Sequence, residues 1–204
     1  MTYEEWLAWP DGESKQSEWV DGEVILFMPP KTVHALLGFF LARLLASYAD
    51  LFGLGQVIPA PFEMRLARSA REPDLLFVAR AHLDRLTPER LVGPADLVVE
   101  LISDSSVRRD RLEKFTEYAM AGVPEYWLFD PRPGRQQALF HQLNEEGVYE
   151  AITPDAEGRY FSVALPGFWL RTEWLWQSPL PSPAACLAEI ASVTGDRPSS
   201  AGKP

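Results

Sequence analysis

The chain has few of the residues that narrow a protein's chemistry quickly. Of its 204 residues one is cysteine, Cys186, and three are histidine. A single cysteine closes no intrachain disulfide and builds no thiolate metal site, so the fold must rest on packing and suits a reducing cytoplasm. Cations are scarce as well: 19 Lys and Arg face 29 Asp and Glu, a net charge of −10, with a pI near 4.8. That balance argues against a protein that coats nucleic acid nonspecifically, which needs a local excess of Lys and Arg, but leaves a local basic groove open. The opening "MTYEEWLAWPDGESKQ" lacks a charged-then-apolar leader pattern. The most apolar run, "ALLGFFLARLLASYADLF" (35–52), is interrupted by Arg43 and Asp50 and falls short of about 18 uninterrupted apolar residues. We therefore expect a cytoplasmic protein in which this run is a core helix rather than a membrane span. No internal repeat is visible.

What is present reads as one α/β domain over 1–177 followed by a Pro/Ser/Ala-rich tail, 178–204. The tail's end, "GDRPSSAGKP", has the composition of disorder, while "PAACLAEIASV" within it can form one short docked helix. Leu37, Phe40, Leu41, Leu44, Tyr48 and Leu51 recur at helical spacing, after Pro29-Pro30 and before Gly53, and predict a helix over Thr32–Phe52. In "SEWVDGEVILFM", Asp21-Gly22 between two strand-like runs suits a tight hairpin. "QVIPAPFEMRLA" and "REPDLLFVAR" read as one strand each, and "HLDRLTPERLVG" as a short helix or loop. "ADLVVELIS" is the most β-like run, followed by a helix over 106–121 that stops at Gly122, and by "PEYWLFDP" as a further buried strand. Strand, helix, strand within about 35 residues has the size of a βαβ unit with parallel strands. "QQALFHQL", "GVYEAIT" and "RYFSVALPGFWL" read as antiparallel strands extending the same mixed sheet.

Two acids stand in apolar surroundings. Asp74 opens the strand "DLLFV" and Glu100 interrupts "LVVELI". On neighbouring strands their carboxylates can converge and hold a divalent cation such as Mg²⁺ for phosphodiester hydrolysis. Equally, Asp74 can cap a turn after Pro73, and Glu100 can pair with an arginine. An unpaired buried acid costs several kcal/mol, which weighs toward a function for Glu100. On the following helix Leu112, Phe115 and Ala119 share one face, while Asp110, Lys114 and Tyr118 share the other. Either Asp110 and Lys114 form an exposed i,i+4 pair worth a few tenths of a kcal/mol, or Lys114 reaches back to Glu100 to orient water or stabilise developing charge. Arg108, Arg109 and Arg111 beside the helix start offer a phosphate-binding rim or a solvated helix face. His34 reads as a surface residue, His82 and His141 carry less signal still, and the seven tryptophans read as packing residues.

The blocks "SEWVDGEVILFMPP", "EPDLLFV", "GPADLVVELISDSS" and "RRDRLEKFTEYAMAGVPEYWLFDP" occur in an order that closely resembles the Uma-type family of restriction endonuclease-like proteins, within the PD-(D/E)XK nuclease-like superfamily. The resemblance spans 3–176. It implies a restriction endonuclease-like core, a mixed sheet of four or five strands flanked by helices, with a metal site on its central strands. Carried over by position, Asp74 matches the aspartate of the PD motif and Glu100 the acid of the next strand. The superfamily's usual lysine would fall at Ile102; in this family it lies on the next helix, where Lys114 matches, and Glu18 is a candidate additional acid. The implied function is a Mg²⁺-dependent (or Mn²⁺-dependent) DNA endonuclease, with a homodimer expected since cutting two strands takes two sites. The alternative is a catalytically inactive nuclease-fold module for binding or assembly.

Overall fold

The computed structural model describes residues 1–9, 17–26, 31–104 and 106–194. After a short helix α1 (Tyr3–Leu7), strands β1 (Ser17–Val20) and β2 (Glu23–Leu26) form the expected hairpin. Asp21 (φ 48°) and Gly22 (φ 92°) both occupy positive φ, as a two-residue turn matched to strand twist requires. Helix α2 (Thr32–Phe52) ends at Gly53, whose left-handed φ of 62° closes the last turn. By length and composition α2 could cross a membrane, yet seven of its residues, from Leu37 to Ala49, are buried in the protein core.

The chain then lays down β3 (Gly55–Pro59), β4 (Glu63–Arg65), β5 (Ser69–Arg71), β6 (Leu75–Ala79), β7 (Arg90–Val92) and β8 (Leu97–Leu101). Helix α3 (Lys114–Ala121), entered through a π-helical turn at Arg109–Glu113, leads to β9 (Glu125–Asp130), β10 (Gln137–Leu143) and β11 (Tyr149–Ile152). Six strands make the main sheet in the order β11-β10-β9-β8-β6-β3, and five make a second, β2-β1-β5-β4-β7. In the main sheet β8 and β9 run parallel, as the βαβ reading predicts, and every other pair is antiparallel.

Alternation along the strands sorts the main sheet's side chains onto two faces. Leu75, Phe77, Leu97, Val99, Leu101, Trp127 and Phe129 pack with α2. Leu76, Val78, Val98, Ile102, Tyr126 and Leu128 pack with Tyr118 of α3 on the opposite face. Even-numbered Glu100 belongs by parity to the α3 side, and this decides its partners.

The structure differs from the sequence reading at several points, among them β7, a strand within the stretch read as a short helix or loop. The implied four- or five-stranded sheet is a six-stranded sheet with a five-stranded companion. "QVIPAPFEMRLA" is not one strand: β3 joins the main sheet and β4 the second, with Ala60-Pro61 between them, where proline supplies no ladder donor. "REPDLLFVAR" likewise divides into β5 and β6, one in each sheet. "RYFSVALPGFWL" forms β12 (Arg159–Phe161) and β13 (Trp169–Arg171), which among the described residues pair with each other and join neither larger sheet. The stretch given to the tail holds helix α4 (Pro183–Thr194), whose Cys186 and Ile190 are buried in the core cluster with α2; the short docked helix is the form this segment takes. "GDRPSSAGKP" lies outside the described residues.

Candidate active site

Strand register brings the two acids together. β6 and β8 pair Leu75 with Val99 and Leu76 with Val98, so the register continued by one residue sets Asp74 opposite Glu100. Asp74 Oδ2 accepts a hydrogen bond from the Leu101 backbone N–H at 2.7 Å. Its Oδ1 lies 3.0 Å from His34 Nε2. The two carboxylates therefore meet at one end of the main sheet, and Asp74 is tied to the strand that carries Glu100.

Lys114 reaches them. Its Nζ donates to Glu100 Oε1 at 2.8 Å, and Tyr118 OH donates to the same oxygen at 2.9 Å. The ammonium also lies 3.1 Å from Glu18 Oε1 and 3.7 Å from Asp110 Oδ1. The exposed Asp110–Lys114 pair considered from sequence does not occur: Lys114 and Asp110 are each 2% exposed, whereas Leu112 is 61% exposed. The polar face of this helix is the one turned inward. The π-helical turn carries Asp110 and runs directly into Lys114, a local widening of the helix often found at functional sites.

Glu18, on β1 of the second sheet, is fully buried. Arg71 Nη1 donates to its Oε2 at 3.0 Å, and the Glu72 backbone N–H donates to its Oε1 at 3.0 Å. Arg71 also bonds Glu117 of α3, to which Ser69 donates as well. The second sheet thus supplies the buried charges that hold α3, and with it Lys114, against the main sheet.

More acid than base is buried here, and the titration of the groups reflects it. Burial pushes Asp74 up to about 7, despite the Leu101 N–H and the Lys114 ammonium, with Asp110 and Glu18 pushing the same way. Burial likewise pushes Glu100 up to about 8, against the pull of Lys114 and with repulsion from Asp110, Asp74 and Glu18 adding to it. Burial raises Asp110 too. For Glu18 the burial penalty is outweighed by Lys114 and Arg71, which hold it below the usual carboxylate range. Lys114 is held above its ordinary value because Glu100, Glu18 and Asp110 outweigh its own desolvation. One ammonium shared by this many acids cannot keep all of them ionised. Perturbed groups in a cleft of this kind mark functional-site candidates.

These residues open onto a cavity of about 730 Å³, lined by Asp74, Glu100, Asp110 and Lys114 on one side and by the first turns of α2 on the other. His34, read from sequence as a surface residue, lines this cavity. Its Nδ1 is buried without a partner, and burial lowers its pKa, favouring the neutral ring. Arg108, Arg109 and Arg111 are not among the lining residues; Lys31 and Arg132 are the basic residues at the rim. Arg108 is largely exposed, 3.9 Å from Glu113, and Arg111 donates to Gln137 Oε1 at 2.9 Å.

The donor set suits a hard divalent cation. Asp74 and Glu100 offer carboxylate oxygens to one cavity, and their mutual repulsion is the kind a cation relieves. Among the described residues no group of three or more His, Cys, Asp or Glu is arranged to hold a metal. A two-carboxylate site completed by water and substrate is the arrangement Mg²⁺ commonly takes, and Asp74 with Glu100 fits it.

The family model described as "Putative restriction endonuclease", Uma2, matches residues 3–173. The chain belongs to the Uma2 family. Among solved structures, this Uma2 chain is similar to "a putative nuclease belonging to DUF820" from Anabaena variabilis ATCC 29413. The TM-score is 0.71 at 15% identity, covering 86% of this chain and 97% of that chain. At that identity the likeness is one of fold: mixed sheets flanked by helices. No curated protein matches this chain.

In this Uma2 chain the candidate site also contains residues that sequence reasoning passed over. His34 precedes Asp74 by 40 positions, and its place beside Asp74 depends on how α2 packs on the main sheet, which no local pattern signals. Arg71 and Glu117 carry ordinary surface identities in sequence. Their burial follows from the second sheet closing over α3.

Proposed function

We infer that this Uma2 protein is a divalent-metal-dependent DNA endonuclease acting in the cavity at the end of β6 and β8. The reading rests on one observation above the others: Asp74 and Glu100 face one cavity across paired strands, with the Lys114 ammonium bonded to Glu100. Asp74 and Glu100 would hold Mg²⁺ or Mn²⁺, which supplies Lewis-acid activation and charge neutralisation for phosphodiester hydrolysis. The chain's own residues do the rest. Lys114, fixed by Glu18 and Asp110, presents a charged donor beside Glu100 where developing phosphate charge is stabilised without reorganisation. His34 and the Leu101 N–H fix both Asp74 oxygens in place. Glu100 and Lys114 are themselves buried, which strengthens the interaction between them.

A plasmid-nicking assay with Mg²⁺ or Mn²⁺ tests this directly. Wild-type protein nicks and chelation stops it, while Asp74→Ala and Glu100→Ala lose activity; equal cleavage by all three proteins rejects the assignment. Two observations support a second reading, a nuclease-fold module that binds or assembles without catalysis: Lys114 already neutralises part of the acid cluster, and Ile102 is buried where the superfamily's lysine usually lies. Calorimetry with Mn²⁺ separates the two, because the binding module shows no uptake that depends on Asp74 and Glu100. Cleavage of both strands of a duplex calls for two such sites, and light scattering of the DNA-bound protein tests for a homodimer.

A further inference from the structure

Arg132, just after β9, is anchored by Asp130: Nε donates to Oδ1 at 2.8 Å and Nη2 to Oδ2 at 2.7 Å. Asp130 is 2% exposed, and Arg111 Nη2 lies 3.6 Å from the same Oδ2. One carboxylate thus serves two guanidinium groups, and the trio keeps a surplus positive charge. The remaining nitrogen of Arg132, Nη1, points to Asp104 Oδ1 at 3.5 Å. The other oxygen of Asp104 accepts from Lys31 Nζ at 2.6 Å. Lys31, Asp104 and Arg132 all line the cavity that holds Asp74 and Glu100.

An exposed carboxylate is therefore bridged, one oxygen each, by two cations at the cavity rim. The two non-bridging oxygens of a phosphodiester offer a similar pair of acceptors to the same donors. Lys31 is also the N-cap of the 21-residue α2, makes no side-chain cap and is followed by no acid in the first turn. The helix's first N–H groups add to the anion-favouring field there. The Lys31 and Asp104 side chains are the exposed partners, 78% and 61% accessible against 14% for Arg132. Exposed pairs of that kind are weak and readily displaced.

We propose that Lys31 and Arg132 clamp a backbone phosphate of the nucleic-acid substrate, and that Asp104 is a built-in competitor occupying the clamp when substrate is absent. This rests on reading the cavity as a nucleic-acid site. Asp104 then sets an affinity threshold: substrate must displace one carboxylate before its phosphate can bridge the two cations, which keeps a weakly held strand away from the acids behind.

Fluorescence anisotropy of a labelled duplex oligonucleotide in EDTA, where no cleavage occurs, tests the clamp on the full-length protein. Removing the competing charge in Asp104→Asn tightens binding about fivefold at low salt, the effect of one unit charge near 4 Å in water. Arg132→Gln weakens it about tenfold or more. Lys31→Gln, at a position too exposed to affect folding, weakens it and lowers the slope of log affinity against log salt by about one. Unchanged or weaker binding by Asp104→Asn, or wild-type binding by Lys31→Gln, overturns the clamp. Pyrophosphate titrated by calorimetry separates the two levels of the argument. If wild type and all variants fail to bind oligonucleotide but pyrophosphate affinity still falls from Asp104→Asn through wild type to Lys31→Gln, the anion clamp stands and its assignment to a nucleic-acid substrate falls with the nuclease reading. Pyrophosphate binding indifferent to all three substitutions overturns the clamp itself.

Discussion

Replacing Glu100 by Gln should make the metal-free protein more stable, by an amount that grows with pH. Glu100 is 3% exposed, and its Oε1 accepts from Lys114 and Tyr118; a glutamine oxygen accepts both bonds with the same shape. What the substitution removes is a carboxyl group whose pKa burial has pushed from 4.5 to about 8. A carboxyl with a raised folded pKa binds its proton more tightly folded than unfolded. Its contribution is fully present below pH 4.5 and is lost as pH rises through about 8. Wild type therefore loses stability across that window from this group, and Glu100→Gln does not. Between pH 5 and pH 7 the difference between the two proteins should shift by roughly 2–3 kcal/mol in favour of the variant, worth about 5–10 °C in melting temperature for a chain of this size. Urea unfolding followed by tryptophan fluorescence in EDTA, at pH 5, 6, 7 and 8, measures it. A difference that is flat with pH, or that turns against the variant as pH rises, refutes the account of Glu100 as an ionisable group strained by burial. Added Mg²⁺ should recover stability for wild type above pH 7 and do far less for the variant.

Other perturbations probe the remaining charges and the core. Lys114→Met leaves Glu100, Glu18 and Asp110 without their shared ammonium and should cost about 3–5 kcal/mol at pH 8, and less at pH 5 where Glu100 is protonated; equal losses at both values in urea titrations would count against the shared-ammonium picture. Glu125 is fully buried and accepts from Trp127 Nε1, Tyr160 OH, Ser162 Oγ and the backbone N–H groups of Val163 and Ala164. Glu125→Gln turns an amide donor toward these donors and should destabilise by about 1–3 kcal/mol, read as a lower melting temperature. Leu44, with no exposed surface on the buried face of α2, should cost about 2–5 kcal/mol when cut to alanine, read as a lower urea midpoint with an unchanged far-UV spectrum at temperatures where the variant stays folded.

Much of this molecule is legible in local pattern. The apolar spacing from Leu37 to Tyr48 specifies α2, Asp21-Gly22 specifies the first hairpin, and the order of β8, α3 and β9 specifies two parallel strands, because each depends on residues close in the chain. The oddity of Glu100 is legible too: an acid inside "LVVELI" needs a partner wherever that strand is buried. Which partner it meets is not local information. Asp110 and Lys114 have the spacing of an ordinary solvated ion pair, and only the closure of the second sheet, through Glu18, Arg71 and Glu117, turns that face inward. The placement of His34 beside Asp74 depends on how α2 packs on the main sheet, and the rim cations Lys31 and Arg132 come from segments about 100 residues apart. Local pattern was enough for α2, the first hairpin turn, the parallel β8–β9 pair and the family, since period, turn chemistry and motif order act over short range. How much water each charge keeps follows from the packing of distant segments, and desolvation is what makes one carboxylate a solvated surface group and another a strained acid in a cavity.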